Sequence, residues 1–541
     1  MKKFRSVILG VVTTLTSLVL LAGCGAKSQS GSKSSMTMAV TSSVDSLDPV
    51  LAYQTTSCTV VGNTNEGLYS IKNNGKAELA LASKVVTSDG GLTKTFTIRK
   101  NAKWSDGSSV MANDFVFAWR RLANPKVASA FNFELGAAGI KNADAIVAGE
   151  KAVNSLGVEA KGEKTLIVHF SKKVAYLPQL LSFSSFAPVQ EKYYKKEGKK
   201  FAQSAKNLIA SGPYKVANWK QGDNTITLVK NNEYWDAKNV KTKKIKLQVI
   251  TDPEKSALAF KNGTVDYTPL SGQLVAKYKN DSSYKNSLGN FTQYLMFNMK
   301  SKGLNNADLR KAIAYSINKK SIVNNVLKDG SQIANSMIMK GLVTDPGTGK
   351  DFASESTTGY EYSPSKAKSY WNKAKRETSR RTLTILYDDS DTAYANVAAY
   401  IQSQVQKNLK GMKVTLKQTT KKTRSDKMMS GDFEAVLTRW GPDYADPTAI
   451  LSMYQTDNIS NYQKWSNSTF DSLLNAAATT YASNPTKRYK ALLKANNILV
   501  NSAACPPLYQ LGSPVLQRSS IHGLKQHLAG VPFWFKYVSI K

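Results

Sequence analysis

The pattern of apolar and polar positions divides the chain into three unlike parts. Apolar residues fill positions 7–21, where Ser and Thr are the only polar residues, and positions 25–35 then hold no apolar side chain larger than that of Ala26. From residue 36 onward, apolar residues recur with the two-residue period of strands or the longer period of helices. The pattern therefore predicts an apolar leader, a polar tether and a folded body.

The body is predicted to contain both strands and helices. The strand-like segments are 84–99 (two strands around a turn at 89–91), 166–170, 225–230, 382–387, 413–417 and 433–438. The helix-like segments are 55–68 (ending at Gly67), 113–122, 306–327 (two helices with a break at Asn318), 365–374, 393–409 and 485–501. Between residues 382 and 438 strands and helices follow one another in turn, which predicts a βαβ-type α/β domain.

The first 24 residues have the plan of a bacterial export signal. Basic residues at positions 2, 3 and 5 precede the apolar stretch, and the tetrapeptide LAGC of residues 21–24 follows it. The stretch is short for a hydrocarbon core of roughly 30 Å, which argues against a retained membrane span. LAGC resembles a lipobox, which implies that residues 1–23 are removed and that a lipid on Cys24 holds the protein at the outer face of the cell membrane. Residues 24–35 then form a flexible tether with a reach of roughly 18 Å.

The net charge raises the question of a polyanionic partner. The formal charge of +36 falls to +33 once the three basic residues of the leader are removed. The lysines are spread along the whole chain, and the sequence contains no zinc motif, aromatic-glycine RNA signature or basic helix. Nucleic acid is therefore not an expected partner, and anionic wall polymers, lipid headgroups or an acidic protein face are.

Two cysteines remain after Cys24, namely Cys58 and Cys505, which are 447 positions apart. Two cysteines of an exported chain can form a disulfide when their Cα atoms lie within about 7 Å. The sequence leaves open whether they do.

A series of short motifs runs along the body. The longest are KWSDGSSV at 103–110 and NDFVFAWRRL at 113–122. The others are LDP at 47–49, EGLY at 66–69, SGPY at 211–214, NNEYWD at 231–236, FNM at 297–299 and RWGPDYADP at 439–447. In their order along the chain, these motifs resemble those of the family 5 extracellular solute-binding proteins, and among these the oligopeptide-binding lipoproteins of ABC importers.

The resemblance implies an α/β fold with two lobes, of the class II periplasmic-binding-protein type with an extra accessory domain. Residues 36–80, 203–298 and 510–541 are then the core domain of lobe I, 81–202 its accessory domain, and 299–509 lobe II. Such a protein closes its lobes around a ligand by bending at the segments that cross between them. It is expected to be a monomer without a cofactor that passes oligopeptides to an ABC permease and its ATPase subunits.

The resemblance also implies the ligand contacts. Asp443 matches the aspartate that receives the α-ammonium group of the ligand in peptide-binding members, although a cap of the turn beside Pro442 is an alternative role. The ligand main chain is expected to lie as an added strand along two edges. One edge is Glu66, Gly67, Leu68 and Tyr69, and the other is Thr438, Arg439 and Trp440. The candidate walls of the site are Trp440, Tyr444 and Tyr509, with Tyr69 as a weaker one, and each of them has a structural role as its alternative.

The other end of the ligand departs from the family pattern. Some members read the peptide carboxylate with arginines that align with Met428 and Leu437 here. The carboxylate is therefore expected to be solvated or to meet Arg439 or Lys427.

The sequence does not support catalysis or metal transport. It has three histidines, and it lacks the HExxH, GxSxG and P-loop motifs. Two alternatives to peptide capture remain, which are a basic surface adhesin for anionic wall or host polymers and a family 5 receptor for a non-peptide solute.

Overall fold

The structure is a computed structural model that describes residues 34–356, 359–389 and 392–541. The predicted signal segment, Cys24 and most of the predicted tether lie outside these residues. The first strand begins at Ser35. Within the described ranges, no helix is long and apolar enough to cross a bilayer.

An eleven-stranded sheet forms the framework of the molecule. From one edge to the other its strands are Lys413–Thr419, Thr382–Asp388, Ala435–Trp440, Tyr284–Phe297, Pro507–Gln517, Tyr267–Pro269, Ser35–Val40, Lys244–Val249, Thr225–Lys230 and Tyr214–Asn218, and Gln332–Ile333 pairs with Pro507–Gln517. The first three strands of this order are parallel to one another, and Tyr284–Phe297 is antiparallel to its neighbours on both sides.

The strands Tyr284–Phe297 and Pro507–Gln517 cross between the two halves of the sheet. Their pairing is interrupted between Leu288 and Thr292, where the register shifts. A Cβ atom at Gly512, in the same stretch, would lie 2.5 Å from the carbonyl oxygen of Asp329, so only glycine fits there. The two long strands therefore belong to both halves of the sheet. The division of the lobes at 298 and 510 stays a prediction.

A smaller four-stranded antiparallel sheet lies in the range predicted for the accessory domain. Its strands are Ala82–Ser88, Thr93–Ile98, Thr165–His169 and Val158–Lys161, with Thr93–Ile98 between the first and the third. Trp104 is 1% exposed, and its indole nitrogen donates to Asp114 Oδ2 over 3.1 Å. Asp114 also accepts from the backbone N–H of Met111, which fixes the start of the next helix. The KWSDG motif therefore packs a junction between a turn and a helix.

The helices cover the faces and edges of the two sheets. The α-helices are Thr55–Thr64, Ala112–Ala123, Glu134–Ala137, Ala143–Val147, Leu177–Leu180, Glu191–Glu197, Pro253–Lys261, Gln273–Tyr278, Ala307–Ser316, Lys319–Ser321, Phe352–Glu355, Pro364–Glu377, Thr392–Asn408, Lys421–Ser430, Thr448–Leu451, Ser468–Ala478 and Pro485–Asn501, and Ile322–Leu327 is a π-helix. Further short strands are Tyr69–Ile71, which pairs with Ala77–Leu79, and Ile521–His522, which pairs with Ser539–Ile540.

Most predicted elements are present, and the differences have local causes. The strand Thr225–Lys230 and the helix Pro485–Asn501 have the predicted bounds, and the break near Asn318 is a cap whose side chain accepts from Ser321 N–H. The helix predicted over 55–68 ends already at Thr64, because the backbone N–H of Glu66 donates to the hydroxyl of Ser211 and does not continue the helical hydrogen bonds.

Candidate functional site

The carboxylate of Asp443 is the centre of the candidate site. Asp443 is half-buried in the turn after the strand Ala435–Trp440. Burial raises its pKa to about 6. Among the described residues its carboxylate has neither a hydrogen bond nor an ion pair. The nearby Arg488 forms its ion pair with Asp446, to which it donates two hydrogen bonds of 2.6 and 2.9 Å.

Next to Asp443, the strand Ala435–Trp440 has an open edge. Tyr284–Phe297 pairs with the whole strand on one side, whereas on the other side Thr382–Asp388 pairs only with residues 435 and 436. Within the described ranges, residues 437–440 therefore have a strand neighbour on one side only. Thr438 is buried, and its hydroxyl accepts from Arg424, while Trp440 is 37% exposed at the end of the strand. An extended chain can pair with such an edge.

The segment Glu66–Tyr69 is used for internal contacts. The Glu66 carboxylate accepts from Tyr234 Oη at 2.5 Å and from Trp235 Nε1 at 2.6 Å, so the EGLY and NNEYWD motifs bind each other. The carbonyl oxygens of Gly67 and Leu68 already accept from Leu81 and Ala80. The contact between this segment and a ligand main chain stays a prediction.

The aromatic candidates have different surroundings. Tyr444 stacks on Tyr176, with 4.2 Å between ring centroids and 9° between planes. Tyr509 is 1% exposed, within the strand Pro507–Gln517. Tyr69 packs edge-on against Phe96. Of the four proposed walls, Trp440 alone is exposed.

The two basic candidates for the ligand carboxylate also have protein contacts. The guanidinium of Arg439 lies 5.1 Å from the ring centroid of Phe291 and 5.4 Å from that of Tyr394. Lys427 forms an ion pair with Asp432. The reading of the carboxylate by either residue stays a prediction.

The stack of Tyr176 on Tyr444 joins the two predicted lobes, since Tyr176 belongs to the accessory range 81–202 and Tyr444 to 299–509. We expect Tyr176→Ala to weaken ligand binding by up to about tenfold, because an aromatic pair contributes roughly 0.5–1.5 kcal/mol beyond its buried area. Tyr176→Phe keeps the stack and removes only the hydroxyl, which donates to the carbonyl of Ala137 and also interacts with Tyr444 and Thr448, so it is the control for the ring. Equal affinities of wild type and Tyr176→Ala in calorimetry would contradict a role of the stack in closure.

No motif pointed to Glu134, which the fold brings into the surroundings of Asp443. Glu134 is 1% exposed, and the charge of Asp443 acts on it. Burial raises the pKa of the Cys58 thiol, and the charges of Asp45, Glu134 and Asp443 raise it further.

Cys58 and Cys505 are both buried and free, so the disulfide that the sequence left open is absent from the structure. The described residues contain no group of His, Cys, Asp and Glu that could hold a metal ion.

Comparison with known proteins decides the family. The sequence profile of "Bacterial extracellular solute-binding proteins, family 5 Middle" matches residues 76–462. The chain is a family 5 extracellular solute-binding protein. The resemblance read from the motifs is therefore confirmed.

The relatives of this solute-binding protein include peptide-binding proteins. It is 30% identical to the dipeptide-binding protein of Lactococcus lactis subsp. cremoris, over 100% of both chains. It is 31% identical to the oligopeptide-binding protein OppA of Bacillus subtilis, over 97% of each chain. The structure of Listeria monocytogenes OppA bound to peptide matches with a TM-score of 0.76 and 33% identity, covering 94% of this chain and 99% of that one. The two-lobed α/β fold that the motifs implied is confirmed by this likeness.

Proposed function

We propose that this solute-binding protein captures extracellular oligopeptides between its lobes and delivers them to the permease and ATPase subunits of an ABC importer. It does so as a monomer without a cofactor, held at the outer face of the membrane by a lipid on Cys24. The observation that carries the proposal is the unpaired carboxylate of Asp443 beside the open strand edge at residues 437–440.

The two features match the two parts that all linear peptides share. A strand edge offers main-chain N–H and C=O groups to any extended peptide, whatever its side chains. A half-buried carboxylate suits the α-ammonium group, because a charge-assisted hydrogen bond is stronger than a neutral one. The Lactococcus and Bacillus relatives, a dipeptide-binding protein and an oligopeptide-binding protein, support a peptide as the ligand.

Mass spectrometry of ligands that remain bound through gentle purification tests the proposal. We expect a mixture of short peptides with free amino termini. Calorimetry with a tripeptide of alanine and with the same peptide acetylated at its amino terminus then measures the contribution of the ammonium group. A purified protein that retains a sugar or bile acid and ignores peptides would favour a non-peptide solute, and salt-sensitive binding of polyanions alone would favour the adhesin.

Peptide affinity is expected to fall as the pH decreases. The pKa of Asp443 is about 6 without ligand, and a bound ammonium group favours the ionised carboxylate, so it lowers that pKa. Binding therefore releases protons at acid pH, and the titration of Asp443 alone is expected to lower the affinity by at least about tenfold between pH 7 and pH 5. Calorimetry with trialanine at both pH values measures this, since its own charges persist over the range. A flat profile for the wild type would contradict the role of Asp443.

A further inference from the structure

A second carboxyl group, that of Glu134, lies close to Asp443 on the opposite predicted lobe. Glu134 begins the short helix Glu134–Ala137, in the accessory range 81–202. The hydroxyl of Tyr176 donates to the carbonyl of Ala137, at 3.3 Å, and the ring of Tyr176 stacks on Tyr444, the residue after Asp443. This chain of contacts places the helix that carries Glu134 beside the turn that carries Asp443.

A second route through the packing leads to the same place. The ring of Phe131 lies 4.8 Å from that of Phe183. A Cβ atom at Gly530 would lie 3.9 Å from Phe183 and 3.7 Å from the carbonyl oxygen of Asp443. The segment that carries Glu134 and the turn that carries Asp443 are therefore parts of one compact region between the predicted lobes.

The Glu134 carboxyl is only half satisfied by the protein. Its Oε2 atom accepts from the hydroxyl of Ser185 at 2.5 Å. Its Oε1 atom is buried and has no hydrogen-bond partner among the described residues. An unpartnered buried carboxyl oxygen is costly, so such an atom is a candidate for a ligand contact.

Among the described residues, no cation acts on the carboxyl group of Glu134. Burial and the charge of Asp443 both raise its pKa well above the ordinary value, while the Ser185 hydroxyl lowers it. The charges of both acids act on the Cys58 thiol, which is neutral because burial raises its pKa to about 12. Two acids whose charges act on each other without a cation repel when both are ionised, and a cation between them removes the repulsion.

We propose that Glu134 is the second carboxyl group of the ammonium pocket, so that the leading end of the ligand is held by Asp443 from one lobe and by Glu134 from the other. This inference rests on the proposed capture of peptides. It narrows the ligand class to peptides with a free, charged amino terminus, and it makes closure of the two lobes depend on that charge.

Burial and the charge of Asp443 raise the pKa of Glu134, and a bound ammonium group lowers it, so binding is expected to release protons from Glu134, which calorimetry in buffers of different ionisation enthalpy can count. At pH 7 trialanine takes up about 0.1 proton at its amino group, and Asp443, with its pKa of about 6, releases about 0.1, so these two changes cancel. A net release of protons at pH 7 is therefore expected to come from Glu134.

Glu134→Gln tests the assignment, because the amide keeps an acceptor for Ser185 and cannot ionise. We expect about tenfold weaker binding of trialanine, no change for the acetylated peptide, and loss of the proton release. Glu150→Gln, an exposed substitution in the same accessory range, is the control that should change neither. If Glu134→Gln fails to fold, the number of protons that the wild type releases on binding still tests the role of Glu134.

The outcomes separate the two proposals. A wild type that binds no peptide contradicts the proposed function itself. A wild type that binds trialanine and prefers it to the acetylated form, but releases no proton at pH 7 and loses nothing in Glu134→Gln, overturns the role of Glu134 alone.

Discussion

Replacing Arg121 by Met is expected to lower the free energy of unfolding by about 3–5 kcal/mol, because it leaves the carboxylate of Asp48 buried without its cation. Both residues of this pair are buried, and the guanidinium donates to the two carboxylate oxygens over 3.2 and 2.7 Å. The guanidinium also lies 4.1 Å from the ring centroid of Tyr194. The pair joins the LDP motif to the helix Ala112–Ala123, so its loss should loosen the packing between the core of lobe I and the accessory range.

Denaturation of the body without residues 1–23 in guanidinium chloride measures this change. Arg120→Met is the matched control. Arg120 is the neighbour of Arg121 in sequence, and its side chain makes one exposed hydrogen bond, to the carbonyl of Asn154. It is expected to cost less than about 1 kcal/mol. Equal losses in the two variants would show that helix packing, and not the buried ion pair, carries the effect.

Asp443→Asn is expected to weaken the binding of peptides with a free amino terminus by about 1–3 kcal/mol, which is roughly five- to 150-fold. The substitution keeps the shape of the side chain and removes its charge. Because the carboxylate makes no bond within the described protein, folding should not suffer, and removal of a half-buried charge should slightly raise the unfolding temperature at neutral pH.

Calorimetry with trialanine and its acetylated form measures the effect. The acetylated peptide should bind Asp443→Asn as well as it binds the wild type, because it has no ammonium group to lose. Asp457→Asn, an exposed substitution in the same lobe, is the control. An unchanged affinity of Asp443→Asn for the free peptide would remove the central contact of the proposed site.

Local patterns were enough for the elements that depend on neighbours in sequence. The strand Thr225–Lys230, the helix Pro485–Asn501 and the cap at Asn318 follow from alternation, proline position and side-chain capping. The two long crossing strands were missed. Their residues alternate weakly around Gly289 and Gly512, and they are strands because partners far away in sequence pair with them.

By itself, the sequence determined the family, the two-lobed α/β fold and the identity of the charged residue in the turn of residues 440–444, because short motifs encode turns and caps that form locally. The tertiary structure decided the surroundings of that residue. It turned Glu66 towards Tyr234 and Trp235, stacked Tyr176 on Tyr444 and brought Glu134 to Asp443. Such contacts join residues as much as 309 positions apart (134 to 443), so they depend on how the sheets and helices pack together and leave no trace in the local pattern.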